Sequence, residues 1–365
     1  MREMRVTLRL RSGHITPFQA DTLFGHLCWA LAERDGADAV AAFLAAYQER
    51  PPLLVSDGFP LLDGRVYLPM PALSWPSFLH LAARFHVGED AASRPRRRLL
   101  AGALKRVAKT PFVTAQALLP LLHEGLSAMR LVERIFTLAW CPKALVPRTE
   151  TGCACTHWEA CPALNPEVPE TAACQQASYP TAKRDVVMHN TVNRLTSGAE
   201  APFQVEERHL DHDIAFFVTL DETQFSADRL RMCLKYLVDT GYGKDRSTGK
   251  GAITDSSLDT HALPVPDGAN AFLSLSSAYA PCAGELSNQA WYQVHVKYGK
   301  LGGGLATTSN PFKKPVLMLR AGAVITGTPD RTYGGLIPHI HWERDEIVQY
   351  GYAYPLWMRL EDDDA

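Results

Sequence analysis

The stretch 241–251, GYGKDRSTGKG, sets four glycines (Gly241, Gly243, Gly249, Gly251) among Lys244, Arg246, Ser247, Thr248 and Lys250. Glycine lets a main chain approach a ligand closely, successive amides form anion-binding nests, and the cations neutralise phosphate without reading a base. The spacing departs from a nucleotide-binding P-loop: five residues separate Gly243 from Gly249, and Gly251 stands where Ser or Thr would meet Mg2+. The order of elements differs too. A P-loop runs from strand into helix and puts a helix N-terminus at the phosphate, whereas here a helical pattern precedes the loop and a strand follows. That order argues against ATP hydrolysis and leaves two readings, contact with a polynucleotide backbone or a glycine-rich helix C-cap leading into a hairpin.

A second concentration of chemistry lies at 141–180, which holds five of the eight cysteines: Cys141, Cys153, Cys155, Cys161 and Cys174. In a reducing compartment thiols this close together are metal ligands more often than disulfides. Cys153, Cys155, Cys161 and Cys174 supply four thiolates, enough to fill the tetrahedral shell of a structural zinc, with Cys141 or His157 able to replace one. The spacing is not the usual pair of CxxC knuckles, so inert surface cysteines or a disulfide-stapled loop are the competing readings. With six prolines and little aliphatic material, the segment is expected to need such an external order. Histidines and acids that could do acid–base work (His14, Asp21, His26, His189, His209, His212, His339, His341) show no obvious partnered pair, and no catalytic residue is assigned.

Elements that position these residues follow from periodicity. Glu3–Arg11 alternates apolar and polar residues, the period of a half-buried strand. The run from Pro17 carries Leu23, Leu27, Ala30 and Leu31 at helical spacing, with Thr16 or Asp21 available as a cap and Gly36 as a stop. A further helix is expected over 37–49, mixed helix and basic loop over 75–106, and either helix or strand over 127–140. Residues 214–220 read as a strand; Ser226 precedes a helix with Leu230, Leu234, Leu237 and Val238 on one face; the glycine loop and a strand from Ala252 follow. Strand, helix, glycine loop, strand, together with the N-terminal strand and helix, outlines a ferredoxin-like βαββαβ domain interrupted by long insertions. Strand patterns at 271–280, 291–298, 316–319, 323–326 and 347–360 suggest a second, degraded copy. The expected fold is α+β, with domains at 1–262 and 263–365.

Composition sets outer limits. The 365-residue chain is 46% hydrophobic, enough for two cores, and has neither a secretory signal nor a membrane-length apolar run, so a cytoplasmic protein with no membrane partner is expected. The formal net charge of −2 hides an uneven distribution. No acid falls between Asp90 and Glu124, where Arg94, Arg96, Arg97, Arg98, Lys105, Arg106 and Lys109 lie. None falls from Leu286 to Pro329, which holds Lys297, Lys300, Lys313, Lys314 and Arg320. Each run alone is commonly a solvated face, but two runs beside a basic glycine loop point to a polyanion.

A glycine-rich loop after the second helix of a ferredoxin-like fold resembles the RAMP superfamily of CRISPR-associated proteins. More specific stretches are PFQADTLFGHLCWAL (17–31), HNTVNRLT (189–196), FLSLSSAYAP (272–281), VKYGKLGGG (296–304), NPFKKPVLMLRAGAVI (310–325) and VQYGYAYPL (348–356). With the glycine loop they are similar to the fourth Csm subunit of type III-A interference complexes, a similarity spanning both ends of the chain and interrupted at about 130–185. The resemblance implies a subunit that holds the 5′ handle of the CRISPR RNA, contacts the large polymerase-like signalling subunit, seats a RAMP backbone subunit and meets target RNA only indirectly. It marks the glycine loop, Asn190, Asn193 and Arg194 as handle-binding candidates, followed by Lys297, Lys300, Lys313 and Lys314. Phe18 and Gln19 are candidates for stacking on and hydrogen bonding to bases, although an apolar residue before a helix also serves as a packing staple. The competing function is a RAMP endoribonuclease that processes CRISPR RNA precursors.

Overall fold

The computed structural model describes residues 1–192, 198–279 and 289–361. Strand β1 (Arg2–Leu10) buries Met4, Val6 and Leu8, as the alternation requires. Helices α1 (Ala20–Asp35) and α2 (Ala37–Ala45) follow, divided at Gly36, whose φ of 89° suits glycine. Short strands β2 (Leu53–Val55), β3 (Phe59–Leu62) and β4 (Arg65–Pro69) lead to α3 (Phe78–Arg84), α4 (Arg94–Val107), β5 (Phe112–Thr114), α5 (Ala115–Glu124) and α6 (Ala128–Phe136), so the ambiguous 127–140 stretch is helical as far as Phe136. The cysteine-rich insert contributes only the short α7 (Arg148–Thr151) and α8 (Ala172–Gln176). A long hairpin of β6 (Ala182–Val192) and β7 (Ala199–Leu210) precedes β8 (Asp213–Leu220), α9 (Ala227–Thr240) and β9 (Ile253–Thr260).

These elements build a seven-stranded sheet in the order β5-β4-β3-β8-β1-β9, with β2 also pairing β8. Both neighbours of β1 run antiparallel to it, with Val6 opposite Phe216 on β8 and Leu258 on β9. Strand β8 is buried on both sides, and its alternation sorts residues between two cores. Ile214, Phe216, Val218 and Leu220 join Leu23, Leu27, Leu31, Leu230, Leu234 and Leu237 beneath α1 and α9. Ala215 and Phe217 point the other way, into a core shared with α4, α5 and α6.

The C-terminal part continues with β10 (Ala271–Ser274), β11 (Ala290–Trp291), β12 (Val294–Lys297), β13 (Val316–Leu319), β14 (Val324–Thr326), β15 (Leu336–Ile337), β16 (Gln349–Tyr350) and β17 (Pro355–Met358). β11, β14, β10 and β17 form a four-stranded antiparallel sheet, and β12–β13 a separate ribbon. Among the described residues no α-helix follows α9. Leu273, Val324, Leu356 and Met358 enter the same core as Phe217 and the α5–α6 helices, which ties the C-terminal sheet to the first.

That core also accounts for the insert. Trp140, Leu145, Trp158, Cys161 and Leu164 are buried in it, and Arg148, itself buried, donates to the carbonyls of Trp140 and Cys155. The segment lacks a core of its own, as expected, but it is ordered by docking onto its neighbours.

Candidate nucleic-acid interface

The end of α9 sets the glycine loop. Ser226 accepts from the Arg229 amide at the helix start, and Gly241, at φ 77°, closes the helix with its amide on Leu237 O. The loop then folds against the 11–19 segment. Tyr242 N donates to Gly251 O at 2.9 Å, Gly251 N to Gly13 O at 2.8 Å, Gly243 N to His26 Nε2 at 3.0 Å and Lys244 N to Thr16 Oγ1 at 2.9 Å. With Gly249 N on Arg246 O, the amides of all four glycines are engaged within the protein. The glycines therefore serve conformation and close packing: a Cβ on Gly251 would sit 2.1 Å from Tyr242 O, and one on Gly243 2.7 Å from Thr16 Cβ.

Side chains of the loop divide by exposure. Lys250 is half-buried and salt-bridged to Glu207 at the base of the β6–β7 hairpin, and Arg246 is half-buried with Nη1 3.4 Å from Thr240 Oγ1. Lys244, Ser247, Thr248 and Gly249 are exposed, which makes Lys244 the loop's solvent-facing cation.

His26, which anchors Gly243, accepts a hydrogen bond and so must be neutral. Burial, aided by Arg246, lowers its pKa to about 4; burial and Arg208 lower that of His14 to about 4 as well. An unfolded chain protonates both near 6.5, so their contribution to stability is complete above that pH and is lost as pH falls toward 4, at about 1.4 kcal/mol per pH unit for each histidine. Asp57, raised to about 6 chiefly by burial, acts in the opposite sense between 3.8 and 6 and offsets one of them. The denaturation midpoint should fall on acidification from pH 6.5 to 4.5, and His26→Gln should make the fall shallower. A midpoint flat over that range would contradict the assignment.

Phe18 is 6% exposed, with its ring stacked on Tyr242 at 4.1 Å and tilted against His14 at 5.1 Å. Its faces are occupied by protein, the packing outcome weighed above. Gln19, Lys297 and Lys313 are not solvent-facing either. Lys297 Nζ lies 3.0 Å from Asp21 Oδ1, 2.7 Å from Gln19 Oε1 and 3.1 Å from Thr22 Oγ1. Gln349 donates to Asp21 Oδ2, and Lys313 donates to Gln349 Oε1 and Val348 O. Burial brings the Lys313 ammonium down to about 8. This network fastens the first turn of α1 to the C-terminal part. Neither Thr16 nor Asp21 caps α1: the Ala20 amide donates to Asp57 Oδ1 at 2.8 Å, a carboxylate from the β2–β3 connection.

Lys300 is exposed and Lys314 half-buried, its Nζ donating to His339 O at 2.9 Å, and both sit beside aromatic rings. Lys300 Nζ is 5.7 Å from the Phe312 ring centre and Lys314 Nζ 4.5 Å from that of Trp342. Phe312 is 58% and Trp342 71% exposed, so each ring keeps a face open to solvent. Sequence reasoning passed over both; an aromatic residue within a polar segment, as in HIHWERDE (339–346), was the available signal. Helix α1 brings this region to the glycine loop. Gly302 and Gly303 press on Trp29, where a Cβ would approach the indole within 2.8 and 2.6 Å, while Gly243 binds His26 one turn earlier on the same face.

Asn190 is exposed near the end of β6, opposite Pro202, whereas Asn193 and Arg194 lie outside the described residues. In the insert, Cys153 is half-buried, Cys155 Sγ donates to Ala160 O at 3.4 Å, Cys174 accepts from Thr171 Oγ1 at 3.2 Å, and Cys161 is buried. These are free thiols, and among the described residues no three His, Cys, Asp or Glu side chains are arranged to hold a metal ion. No helix among them is long and apolar enough to cross a membrane.

The chain is a mixed α+β fold of antiparallel sheets, with a basic glycine-rich loop between a helix and the sheet's edge strand. Solved structures make the class more particular. The chain is similar over 98% of its length to all of a chain from the "Csm3-Csm4 subcomplex in the type III-A CRISPR-Cas interference complex", at 13% identity and a TM-score of 0.57. It is similar over 99% of its length to all of a chain from the "Csm1-Csm4 cassette in complex with cA4", at 16% identity and 0.54, and from the same cassette with AMPPNP, at 16% and 0.52. Csm4 is common to these assemblies, and in fold the chain is Csm4-like. No family model matches the sequence, and no curated protein does.

Proposed function

We propose that this chain is a non-catalytic, RNA-binding subunit of a type III CRISPR effector complex, holding the 5′ handle of the CRISPR RNA and linking the large signalling subunit to the RAMP backbone subunits. The observation that carries the RNA reading is the meeting on α1 of two basic surfaces, the Lys244 loop at His26 and the Lys300–Lys314 region at Trp29. Cations beside open aromatic faces suit a single strand, whose backbone is neutralised while its bases stack. Partners follow from the company kept by the similar folds, Csm1 in one assembly and Csm3 in the other. The strand order β9-β1-β8-β3 with α1 and α9 on one face supports a first ferredoxin-like domain to about residue 262, and the sheet from 263 onward is read as its degraded counterpart.

The non-catalytic reading draws on His14, the best-placed histidine. It is buried against Phe18 and Arg208, its Nδ1 has no hydrogen-bond partner, and its low pKa makes it a weak base. Divalent-independent cleavage of repeat RNA, lost in His14→Ala, would instead make the chain a processing endoribonuclease.

Lys244→Ala/Lys300→Ala/Lys314→Ala should bind an RNA carrying the repeat-derived 5′ segment at least tenfold more weakly, with a salt dependence shallower by about 2 in log–log slope. Unchanged affinity and slope would overturn the assignment. A structural zinc on Cys153, Cys155, Cys161 and Cys174 rests on the four-thiol composition and not on a formed site. Protein purified without chelator should carry about one equivalent, and less than about half would dispose of it.

A further inference from the structure

Helix α4 carries the first acid-free run, which the site above does not use. Its buried side is Leu100, Ala103 and Val107, set into the core on the far side of the sheet from Tyr242 and the glycine loop. Its cations fall into two sets. Arg96 pairs with Glu159, Arg106 donates to Leu164 O and Arg97 lies over the Phe78 ring, so these three fasten the helix to its neighbours. Arg94, Arg98 and Lys105 on the helix, with Lys109 in the turn just beyond its end, form the other set. At 100° per residue the three helical ones fall within about 40° of one another, opposite the buried side, and extend over about 16 Å, with Lys109 following past the C-terminus. All four are exposed, and none has an ion pair or side-chain hydrogen bond among the described residues. In the middle of the stripe stand Ala101 and Gly102, where a Cβ on Gly102 would meet nothing within 4 Å.

We infer that this stripe is a second RNA track, a sequence-independent contact for the phosphodiester backbone on the face opposite the glycine loop. Charge complementarity chooses the occupant. Protein interfaces centre on aromatic or aliphatic anchors, and the stripe has none. Four unpaired cations in a row, with small residues between them that let a strand lie close, match a regularly charged chain. Lacking side chains that read base edges, they would fix the path of the strand without selecting its sequence. The inference goes beyond handle binding and does not require it.

The test uses the full chain and a 30-nucleotide oligouridylate, titrated across a salt series. Arg94→Ala/Arg98→Ala/Lys105→Ala/Lys109→Ala should weaken binding at least tenfold at low salt and reduce the log–log salt slope by about 2–3, at about 0.7 per lost contact. Arg94→Lys/Arg98→Lys should retain most of the affinity, because a backbone contact needs charge more than a planar fork. Unchanged affinity and slope in the quadruple variant, with an unaltered thermal midpoint, overturn the inference. So does a variant that keeps its RNA affinity but no longer joins a protein partner, since the stripe would then be an acidic-protein contact. The Lys244/Lys300/Lys314 triple variant, run alongside, separates the two claims. Loss confined to the α4 variant supports the track and counts against the glycine-loop site, and loss confined to the triple variant does the reverse.

Discussion

Asp57→Ala should destabilise the protein by about 3–5 kcal/mol, the largest effect expected of any single substitution of a polar residue here. The side chain is buried between the two halves of the chain. Oδ1 accepts from Ala20 N at 2.8 Å, at the start of α1, and from Ser277 N at 3.0 Å, while Oδ2 accepts from Ser277 Oγ at 3.0 Å. Removing the carboxyl leaves two buried amides without acceptors, each costing about 1–3 kcal/mol, and deprives the N-terminus of α1 of its one capping group. Asp57→Asn keeps one acceptor oxygen and should lose roughly half as much. Chemical denaturation of the three proteins at one pH decides the matter: an Asp57→Ala variant within 1 kcal/mol of the parent would show that this carboxylate does not join the halves.

Gly251→Ala should disable the glycine loop, whereas Gly249→Ala should be tolerated, although both positions have positive φ. At Gly249, φ is 88° and nothing lies within 4 Å of a Cβ, so the cost is the left-handed strain alone, about 1–2 kcal/mol. At Gly251 the Cβ would fall 2.1 Å from Tyr242 O, inside the pair of chain segments that hydrogen bond through Tyr242 N and Gly251 O. Backbone cannot step aside as a flexible side chain can, so the loop must open, at about 3 kcal/mol or more. Opening moves Lys244 off its anchor on Thr16, and handle affinity should fall with it. Equal stability and equal RNA affinity in the two alanine variants would contradict the view that the glycines set loop geometry.

Local pattern made part of this molecule legible. The alternation of Met4, Val6 and Leu8, the apolar face of the helix after Ser226 and the succession of helix, glycine loop and strand all depend on neighbours in sequence, and each is realised. What escaped depends on distant partners. Lysines are surface residues by habit, so nothing near Lys297 or Lys313 announced that Asp21 and Gln349 would draw them into a buried network. The β6–β7 hairpin carries little apolar alternation to announce it: Val186, Met188 and Phe203 are exposed, and the buried side near its base is made by Val205 and the charged Glu207. The insert's own aliphatic content is too small for a core, and its order comes from Trp140, Trp158 and Leu164 joining one assembled from α4, α5, α6 and both sheets. The acceptor at the start of α1 comes from Asp57, 37 residues beyond Ala20, a distance that no capping signature spans.

The central claim is that the chain holds one end of a guide RNA. Purification of the chain from cells that carry its repeat array, followed by sequencing of whatever RNA accompanies it, measures this directly. The account predicts short RNAs that share a single repeat-derived 5′ end and differ at their 3′ ends. Absence of RNA, or RNA with scattered 5′ ends, would contradict it.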